Sequence, residues 1–520
     1  MEEKEIENKK ETESIKLIGN RKNEIKDKIF NWFKSPYNFL LFLILVFAFI
    51  IRLYFFLRVG NQPLWWDEAA YGSLAKNMIY HTWDGTFGII RETQIRPLLF
   101  PLIWSVLIRI GIPEIGQRLI LEFLPSIFSV FLIYLIGKEL YNKRVGLIAS
   151  FIFSVIWIHL FYGLRFLVHV PSLFFVFLSV YYFIKTTKND FNFKYFSISL
   201  ISLSIATLMR YPKGLMFFVY LLYLLIDKRI ALVKKAKFWI SGIIGILPII
   251  LFFVYNFFST GNIFPALLGG NYLSVPGSNK ESIPFAFNLL DYIPAYLTTT
   301  FFIFFILGMI IVLFDLFIGY NLIFKNKKLK NHIFLILILV IFYSFFIFYL
   351  RSAEDRYFFA TTLPLCFFSA ISIDFLYNFA KKYNKYLGIL LVLIILFTGA
   401  FFQLSFAKTL IDQKKDSFLQ VRQGFEWLKQ STPQDSIILT HGGTVYAMYY
   451  AERRYEIFHE NATDMNLYNS TYAVLHAFNP PTDVQNKYMQ DNQNIWKPIG
   501  AYFFDIQQTQ PALVIYQKQI

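Results

Sequence analysis

The sequence has little cysteine and little charge. Cys366 is the single cysteine among 520 residues, which excludes an intramolecular disulfide and any metal cage built from several cysteines. Charged residues make up 16% of the chain, whereas average soluble proteins contain about 25%. Because so few charged side chains cannot cover the surface of one water-soluble globule, the composition argues against that class.

Acidic residues are scarcer than basic ones. The chain carries 34 Asp and Glu against 50 Lys and Arg, a formal charge of +16. A basic chain can bind nucleic acid, but here the basic residues fall between apolar runs and form no continuous patch. This distribution is typical of short cytoplasmic loops between membrane spans, so we predict no nucleic-acid partner.

Long uncharged runs, in contrast, repeat along the whole sequence, and 56% of its residues are hydrophobic. We therefore predict an all-α polytopic membrane protein with about 11 transmembrane helices, each near the roughly 20 residues that a crossing requires. The first run is too long and begins too late for a signal peptide. The dense mixture of Glu and Lys in residues 1–36 predicts a charged cytoplasmic tail. The predicted spans are 38–57, 118–137, 145–163, 167–184, 194–209, 212–227, 238–258, 294–319, 332–350, 357–378 and 385–406.

The apolar segment 97–111 decides the topology. It contains two prolines, and its roughly 14 apolar residues are few for a span. If it does not cross, every Lys- and Arg-rich linker falls on the side of the N-terminus, as the positive-inside rule requires. We therefore predict an interfacial helix on the outer leaflet. The linkers are 138–144, 185–194, 227–237, 325–330 and 381–385.

This topology divides the chain into a transmembrane domain and a C-terminal domain. The transmembrane domain covers residues 37–406, with one external loop at 58–117 and a second at 259–293. Residues 407–520 are compositionally different and contain strand-like runs at 455–458, 472–478 and 513–516. They predict a small extracytoplasmic α/β domain.

Two adjacent carboxylates follow two tryptophans in the first external loop, in the string Trp65-Trp66-Asp67-Glu68. Apolar residues then recur at spacings of three and four, which predicts an amphipathic helix. Asp67, at the start of this helix, has two interpretations. It is an N-cap whose carboxylate accepts backbone N–H groups, or a general base that takes a proton from an attacking hydroxyl.

Several ordered motifs give the chain a resemblance to a known family. With them it resembles membrane glycosyltransferases of the GT-C class, most closely the protein O-mannosyltransferase and lipid A aminoarabinose transferase group. The ordered match spans about 60–215, and a weaker match returns near residue 355. The motifs are Trp66-Asp67-Glu68-Ala69-x-Tyr71, Arg96-Pro97-Leu98, Gln117-Arg118-Leu119, Leu124-Pro125-Ser126, the run from Gly137 to Gly146, and Asp355-Arg356-Tyr357 with Leu363-Pro364.

The resemblance implies a donor sugar carried on a polyprenyl phosphate and a catalytic acidic pair in the first external loop. It implies that Asp67 acts as the base toward the acceptor hydroxyl and that Glu68 orients it or helps to bind. It also implies that the basic residue before the loop proline, here Arg96, contacts the donor phosphate.

Such a reaction needs cations beside the leaving group. A glycosyl phosphate leaves as a phosphate anion, so fixed positive charges next to it lower the barrier. A polyprenyl tail confines the donor to the bilayer, which places these cations at the outer ends of spans. Arg210 and Arg351 also fall there and are expected to snorkel toward head groups. The predicted donor-phosphate residues are Arg96, Arg165, Lys213, Arg356 and Tyr357.

Four further residues are candidates for the same site: Tyr71, Arg118, Glu122 and His169. The spacing of Arg118 and Glu122 predicts an ion pair on one helix face, with a structural role. His169 stands where relatives often have an acidic residue. It is either a polar contact or proton carrier or, in the interpretation we favour, a hydrogen-bonded structural residue.

No cofactor is predicted. Asp67, Glu68, His159 and His169 are residue types that can hold a divalent metal. The first loop, however, lacks the Asp-x-Asp pattern of the metal-dependent, oligosaccharide-transferring relatives, and a metal is therefore not expected.

The predicted function is a transferase that moves a sugar from a polyprenyl-phosphate donor to a hydroxyl of a protein, glycan or lipid. It is expected in the cell membrane, with its active site outside the cytoplasm. One alternative is a transporter or flippase of lipid-linked sugars, but transporters usually carry polar groups near the midplane. The other is a non-catalytic assembly protein of the same fold, against which only the intact Asp67-Glu68 pair argues.

Overall fold

The structure is a computed structural model that describes residues 30–80, 97–188, 190–261, 263, 282–351, 354–459 and 469–519. Most of the predicted cytoplasmic tail and most of the second external loop lie outside these residues, as does Arg96. The helices of the membrane bundle and its first loop are α1 (Pro36–Val59), α2 (Trp66–Tyr80), α3 (Leu99–Arg109), α4 (Glu114–Leu140), α5 (Lys143–Val155), α6 (Trp157–Tyr162), α7 (His169–Thr187), α8 (Phe193–Met209), α9 (Leu215–Ile226), α10 (Ala236–Thr260), α11 (Tyr292–Ile318), α12 (Lys327–Ser344), α13 (Thr362–Lys381) and α14 (Lys385–Lys414).

The predicted fold class is confirmed: a polytopic helical bundle carries a small C-terminal α/β domain. Within the described residues, eight helices are long and apolar enough to cross a membrane. Three predicted spans are shorter than a full crossing. The segments 194–209 and 212–227 form short apolar helices, and 145–163 breaks into α5 and α6 at Ile156, whose ψ is 120°. Gln403 accepts the Trp157 N–H at this break, at 2.8 Å.

The five basic linkers meet at one end of the bundle, which we call the linker end. Side-chain contacts link two pairs of them and connect a third position to α13. Lys188 binds Glu139 at 2.7 Å, Lys330 binds Asp227, and Arg144 binds Asp374 at 2.8 Å. The start of α1 lies at the same end, because Lys143 sits over the ring of Tyr37. The linkers and the first span therefore share one side of the bundle, as the predicted topology requires.

The helix α3 lies at the opposite end. Its 11 residues span about 16 Å at 1.5 Å per residue, roughly half of a bilayer core. One face of the helix is buried against other protein elements, whereas Leu102 and Val106 on its other face are exposed. Trp104 stacks on Phe166 at 4.4 Å, and Phe100 packs edge-on against Tyr71 of α2 at 5.6 Å. This helix is thus anchored to the bundle by aromatic packing.

The C-terminal domain is a five-stranded sheet of order β2-β1-β3-β5-β4. Strand β1 is parallel to both β2 and β3, and the remaining pairs are antiparallel. Strands β2, β3 and β5 overlap the three predicted strand-like runs. The elements are α15 (Leu419–Ser431), β1 (Ile437–Thr440), α16 (Thr444–Tyr446) followed by a π-helical turn Ala447–Ala451, β2 (Arg454–Ile457), β3 (Tyr472–His476), α17 (Asp483–Asp491), β4 (Trp496–Phe503) and β5 (Pro511–Lys518).

The domain is seated on the first external loop. A buried apolar cluster joins α2 and α3 to the turn after α16. A Cβ atom on Gly72 would lie 2.4 Å from the ring of Tyr449, so a glycine is needed for this close approach. The Tyr450 hydroxyl accepts the Leu64 N–H at 2.8 Å. These contacts fix the start of α2 between the bundle and the C-terminal domain.

Candidate active site

A cavity of about 600 Å³ opens at the bundle end opposite the linkers, where the first loop, the bundle and the C-terminal domain meet. It combines carboxylates, a guanidinium and aromatic rings on one wall. The lining residues are Trp65, Trp66, Asp67, Tyr162, Leu167, Tyr292, Glu354, Asp355, Arg356 and Phe418.

Asp67 lines this cavity and pairs with Arg356. The Arg356 Nη1 donates to Asp67 Oδ2 at 2.7 Å, and a quarter of the Asp67 side chain is exposed. Glu354 binds the Nε of the same guanidinium, so Arg356 is held from two sides. An ion pair favours the ionised carboxylate, which is the form that accepts a proton.

Glu68 has a different environment from its neighbour. The helix α2 begins at Trp66, so Asp67 already lies in the first turn and the N-cap interpretation of Asp67 is wrong. Glu68 takes the capping role instead: its Oε2 accepts the Trp65 N–H at 2.5 Å. This is one half of a capping box.

Arg165 is the charge partner of Glu68. The two side chains are 0% exposed and 2.7 Å apart, and Arg165 also donates to Gln62 and to the Pro63 carbonyl. Burial lowers the pKa of Arg165, and the nearby Glu68 opposes that effect. Neither residue of this pair lines the cavity, so the structure places both behind the wall that carries Asp67.

A second group of cations lies beside Arg356. Lys213 is 1% exposed, and its Nζ has no hydrogen-bond partner among the described residues. Arg210 contacts His169 Nε2 at 3.3 Å and sits over the ring of Tyr357 at 5.1 Å. Within the described part of the chain, no carboxylate lies within salt-bridge distance of Arg210 or Lys213. This arrangement leaves positive charge available to an anion.

His169 is enclosed by the same cations. Its side chain is 1% exposed, and its ring stacks on Phe359 at 5.8 Å. Arg210, Lys213 and Arg356 all act on it electrostatically. The residue therefore packs and hydrogen-bonds within the cationic group, at the start of α7.

The predicted pair of Arg118 with Glu122 is not formed. Arg118 binds Glu114 at 3.3 Å and the Leu164 carbonyl at 2.7 Å. The reason is local: residues Leu119–Phe123 form a π-helical turn, which shifts Glu122 round the helix relative to Arg118. Glu122 is fully buried and lacks a side-chain partner among the described residues.

Tyr71 is a core residue of the loop, 5% exposed and packed against α3.

Several residues that line the cavity were not predicted as site residues from the sequence. Tyr162 donates to Asp355 Oδ1 at 2.8 Å, and Phe418 closes the cavity from the side of the C-terminal domain. A signal existed for Asp355, because it precedes Arg356 in the weaker motif match. Phe418 had none, because it lies far along the chain.

The described residues contain no group of three or more His, Cys, Asp or Glu side chains that could hold a metal ion. His159, one of the types considered for this role, contacts Arg52 at 3.1 Å inside the bundle. The four residues considered for a metal are therefore not brought together.

Comparisons with known proteins agree with this architecture. The family described as dolichyl-phosphate-mannose-protein mannosyltransferase matches residues 95–255. No curated protein matches the sequence.

Solved structures match nearly the whole chain. ArnT from Cupriavidus metallidurans, solved bound to undecaprenyl phosphate, is 11% identical, with a TM-score of 0.63 covering 92% of this chain and 98% of ArnT. The Archaeoglobus fulgidus oligosaccharyltransferase tethered with an acceptor peptide is 12% identical, with a TM-score of 0.57 covering 94% of this chain and 75% of that one. The predicted resemblance is confirmed, and the chain has the GT-C fold of polyprenyl-phosphate-dependent membrane glycosyltransferases.

Proposed function

We propose that the protein transfers a sugar from a polyprenyl-phosphate donor to a hydroxyl group of an acceptor. The observation that carries this proposal is the juxtaposition of Asp67, ion-paired with Arg356 at the cavity wall, and the buried cations Arg210 and Lys213, which no described carboxylate neutralises. One half of this arrangement suits proton removal, and the other suits an anionic leaving group.

The chemical step uses these two halves together. Asp67 takes the proton of the acceptor hydroxyl while the hydroxyl oxygen forms a bond to the anomeric carbon of the donor sugar. The bond from that carbon to the phosphate oxygen breaks, and its electron pair leaves with the polyprenyl phosphate. Lys213 and Arg210 stabilise the growing negative charge, and Arg356 positions Asp67 while adding to the positive field. Tyr357 orients Arg210 through its ring.

Arg96 completes the donor site in this proposal, as the resemblance implies, although it lies outside the described residues. Arg165 has a smaller part, because Glu68 and two neighbouring acceptors occupy its guanidinium. We propose that Glu68, Arg165 and Arg118 hold the first loop in place, and that Glu68 positions Asp67 by fixing the start of α2.

We propose that the site lies on the extracytoplasmic side of the membrane. The basic linkers gather at the opposite end of the bundle, and basic linkers favour the cytoplasmic side. The C-terminal domain then lies outside as well. The donor reaches the cavity from the bilayer, and the acceptor, a protein, glycan or lipid, reaches it from the aqueous side.

The proposal includes no metal. Arg356, Arg210 and Lys213 supply the positive charge that a divalent ion supplies in other transferases. Transfer is therefore expected to persist in excess EDTA, and activity restored only by a divalent cation would contradict this part of the proposal.

The test uses purified protein in lipid nanodiscs, labelled polyprenyl-phosphate sugars and cell envelopes as the acceptor source. Asp67→Asn keeps the shape of the side chain but removes its basicity, so transfer should fall by at least about 100-fold, as expected for loss of a general base. Initial rates of label transfer provide the measurement.

The matched control is Asp412→Asn. Asp412 also pairs with an arginine, Arg58, at 2.7 Å, and its side chain is about as exposed as that of Asp67, but it does not line the cavity. Its substitution should leave transfer unchanged. Undiminished transfer by Asp67→Asn, in protein with an unaltered unfolding temperature, would remove Asp67 from the chemistry.

A further inference from the structure

A path of aromatic rings leads from the cavity onto the C-terminal domain. Tyr446 forms its floor, with ring centroids 6.0 Å from Trp66 and 5.9 Å from Phe418. Phe418 stacks on Phe478 at 4.5 Å, and Phe478 contacts Phe504 at 5.3 Å. We call the rings of Trp66, Phe418, Phe478 and Phe504 the aromatic path. The path starts at the cavity wall, and the buried ring of Tyr446 connects Trp66 to Phe418.

The aromatic path is accessible to solvent. Trp66 is 37% exposed and Phe504 is 49% exposed, and the two rings between them are half-buried. Exposed and half-buried apolar side chains grouped beside one cavity are a feature of interaction sites. Because Trp66 and Phe418 also line the cavity, a ligand on the path would reach the reacting atoms.

Phe418 occupies a strained position at the middle of the path. Its φ is 67° and its ψ is 17°, the left-handed region that side chains other than glycine rarely adopt. Such outliers persist where the surrounding structure holds them and cluster at binding sites. Here the conformation brings the ring of Phe418 to the cavity wall just after α14 ends.

The path also crosses the edge of the sheet where parallel α/β sheets bind ligands. The chain leaves β1 through His441–Gly443 and leaves β3 through Phe478, and these adjacent strands are parallel. The connections from β1 and β3 diverge, to β2 on one side and across the sheet on the other. Ligands of open α/β sheets occupy such a switch point, outside the carboxyl ends of the strands.

Polar groups other than carboxylates and cations flank the rings at this edge: an asparagine and two histidines. The exposed side chain of Asn479 lies against Gly442, whose φ of 73° keeps the turn tight. His441 is half-buried and takes a hydrogen bond from Gln485. His476 Nε2 makes no hydrogen bond of ordinary geometry among the described residues, although the Gly442 carbonyl is its neighbour. Hydroxyl-rich ligands match this mixture of donors and acceptors.

The chemistry of the path distinguishes between classes of ligand. Aromatic faces are electron-rich and attract the polarised C–H groups on the face of a pyranose ring, while amides and imidazoles form hydrogen bonds with its hydroxyls. An extended peptide would instead require a free strand edge for its backbone. The strands beside the path, β1 and β3, are both interior in the sheet order β2-β1-β3-β5-β4. A peptide therefore cannot add a strand to the sheet at this position.

From this geometry we infer that the aromatic path binds the acceptor and that the acceptor is a carbohydrate chain, stacked on Trp66, Phe418, Phe478 and Phe504 with its terminal hydroxyl at Asp67. The inference rests on the proposed transferase function for the identity of the ligand as acceptor. Binding of the carbohydrate to the aromatic path requires neither the donor nor the transfer reaction.

The experiment measures saturation-transfer NMR on the full chain in nanodiscs without donor. The probes are neutral hexasaccharides of glucose, mannose and N-acetylglucosamine, with uncharged dodecapeptides as the competing class. Ring protons of at least one hexasaccharide should be saturated by the wild-type protein. Phe478→Ala should weaken this binding by at least about fivefold, as expected for loss of an aromatic contact.

Two controls separate stacking from folding. Phe478→Tyr keeps an aromatic face and should bind as the wild type does. Ile499→Ala removes an exposed apolar side chain from the edge strand β4, away from the path, and should also bind normally. Saturation of the peptides alone, absence of saturation for every hexasaccharide, or equal binding by Phe478→Ala would each overturn the inference.

The same variants distinguish a failure here from a failure of the proposed function. Asp67→Asn should retain hexasaccharide binding while losing transfer. In the transfer assay, Phe478→Ala should raise the acceptor KM and leave the donor KM unchanged. Transfer without oligosaccharide binding would leave the transferase proposal standing, whereas binding with undiminished transfer by Asp67→Asn would overturn only that proposal.

Discussion

The two ends of the bundle differ in the partners that their cationic side chains contact. At the linker end, cations meet carboxylates: Lys188 with Glu139, Arg144 with Asp374, and Lys328 with Asp315 at 2.6 Å. At the cavity end, Lys213 is buried without any hydrogen-bond partner among the described residues. The side chain of Arg210 contacts a histidine and an aromatic face, and no described carboxylate forms a salt bridge with it.

Under the proposed function, the ion pairs at the linker end stabilise the fold, whereas Lys213 and Arg210 bind a ligand. Exposed ion pairs at the linker end join neighbouring helices at little cost, because water solvates whatever the partner does not. A buried ammonium without a partner destabilises a fold. Under the proposed function, the donor phosphate supplies the missing counter-charge to Lys213.

The largest expected effect tests whether the two ends face opposite sides of the membrane. Lys382, in a basic linker, and Lys487, in the C-terminal domain, are both exposed, and the native cysteine is buried. In intact cells, an impermeant thiol reagent should label Lys487→Cys and leave Lys382→Cys unlabelled until the membrane is opened. The reverse pattern would overturn the proposed orientation.

The next effect concerns the role of the unpaired cation. Lys213→Met removes the charge with little change in volume, and transfer should fall by about 100- to 1,000-fold, the range for loss of one group that stabilises transition-state charge. The unfolding temperature of this variant should rise, because a buried unpaired charge is gone.

Lys330→Met is the matched substitution at the linker end. Its partner Asp227 keeps an ion pair with Arg229, so transfer should be unchanged and stability should fall slightly. Transfer rates and unfolding temperatures of Lys213→Met and Lys330→Met are measured side by side. Equal changes in the two variants would contradict the proposed difference between the two ends of the bundle.

The last comparison is between a buried and a partly exposed ion pair, and the quantity compared is the free energy of unfolding. Glu68→Gln leaves Arg165 without a counter-charge, which should cost about 3–5 kcal/mol of stability. Asp374→Asn breaks a partly exposed pair at the linker end and should cost about 0–1 kcal/mol. Denaturation of the two variants in the same detergent provides the measurement, and equal losses would show that burial does not distinguish the pairs.

Much of the membrane architecture was predictable from the sequence. Hydropathy and length act locally, so the positions of the helices followed from runs of apolar residues. The grouping of basic linkers was predictable for a similar reason, because the bilayer imposes alternation on successive spans. The start of α2 beside Asp67 and Glu68 was also indicated by the spacing of apolar residues.

The details of the candidate site were less predictable. The capping role of Glu68 rather than Asp67 depends on where the first helical turn begins, which sequence patterns locate only to within a few residues. The Arg118–Glu122 spacing indicated a pair, but the π-helical turn between them changed the helix register. The predicted cation Arg165 proved to be enclosed by Glu68 and Gln62.

By itself, the sequence determined a polytopic helical protein with an acidic pair after the first span and basic linkers on one side. Only the tertiary structure decided that Asp67 meets Arg356, nearly 300 residues away, that Glu68 turns inward, and that Phe418 closes the cavity. The physical reason is that hydropathy and helix periodicity act between near neighbours. Ion pairs and ring contacts across a cavity depend on how distant segments pack, and no local pattern records that.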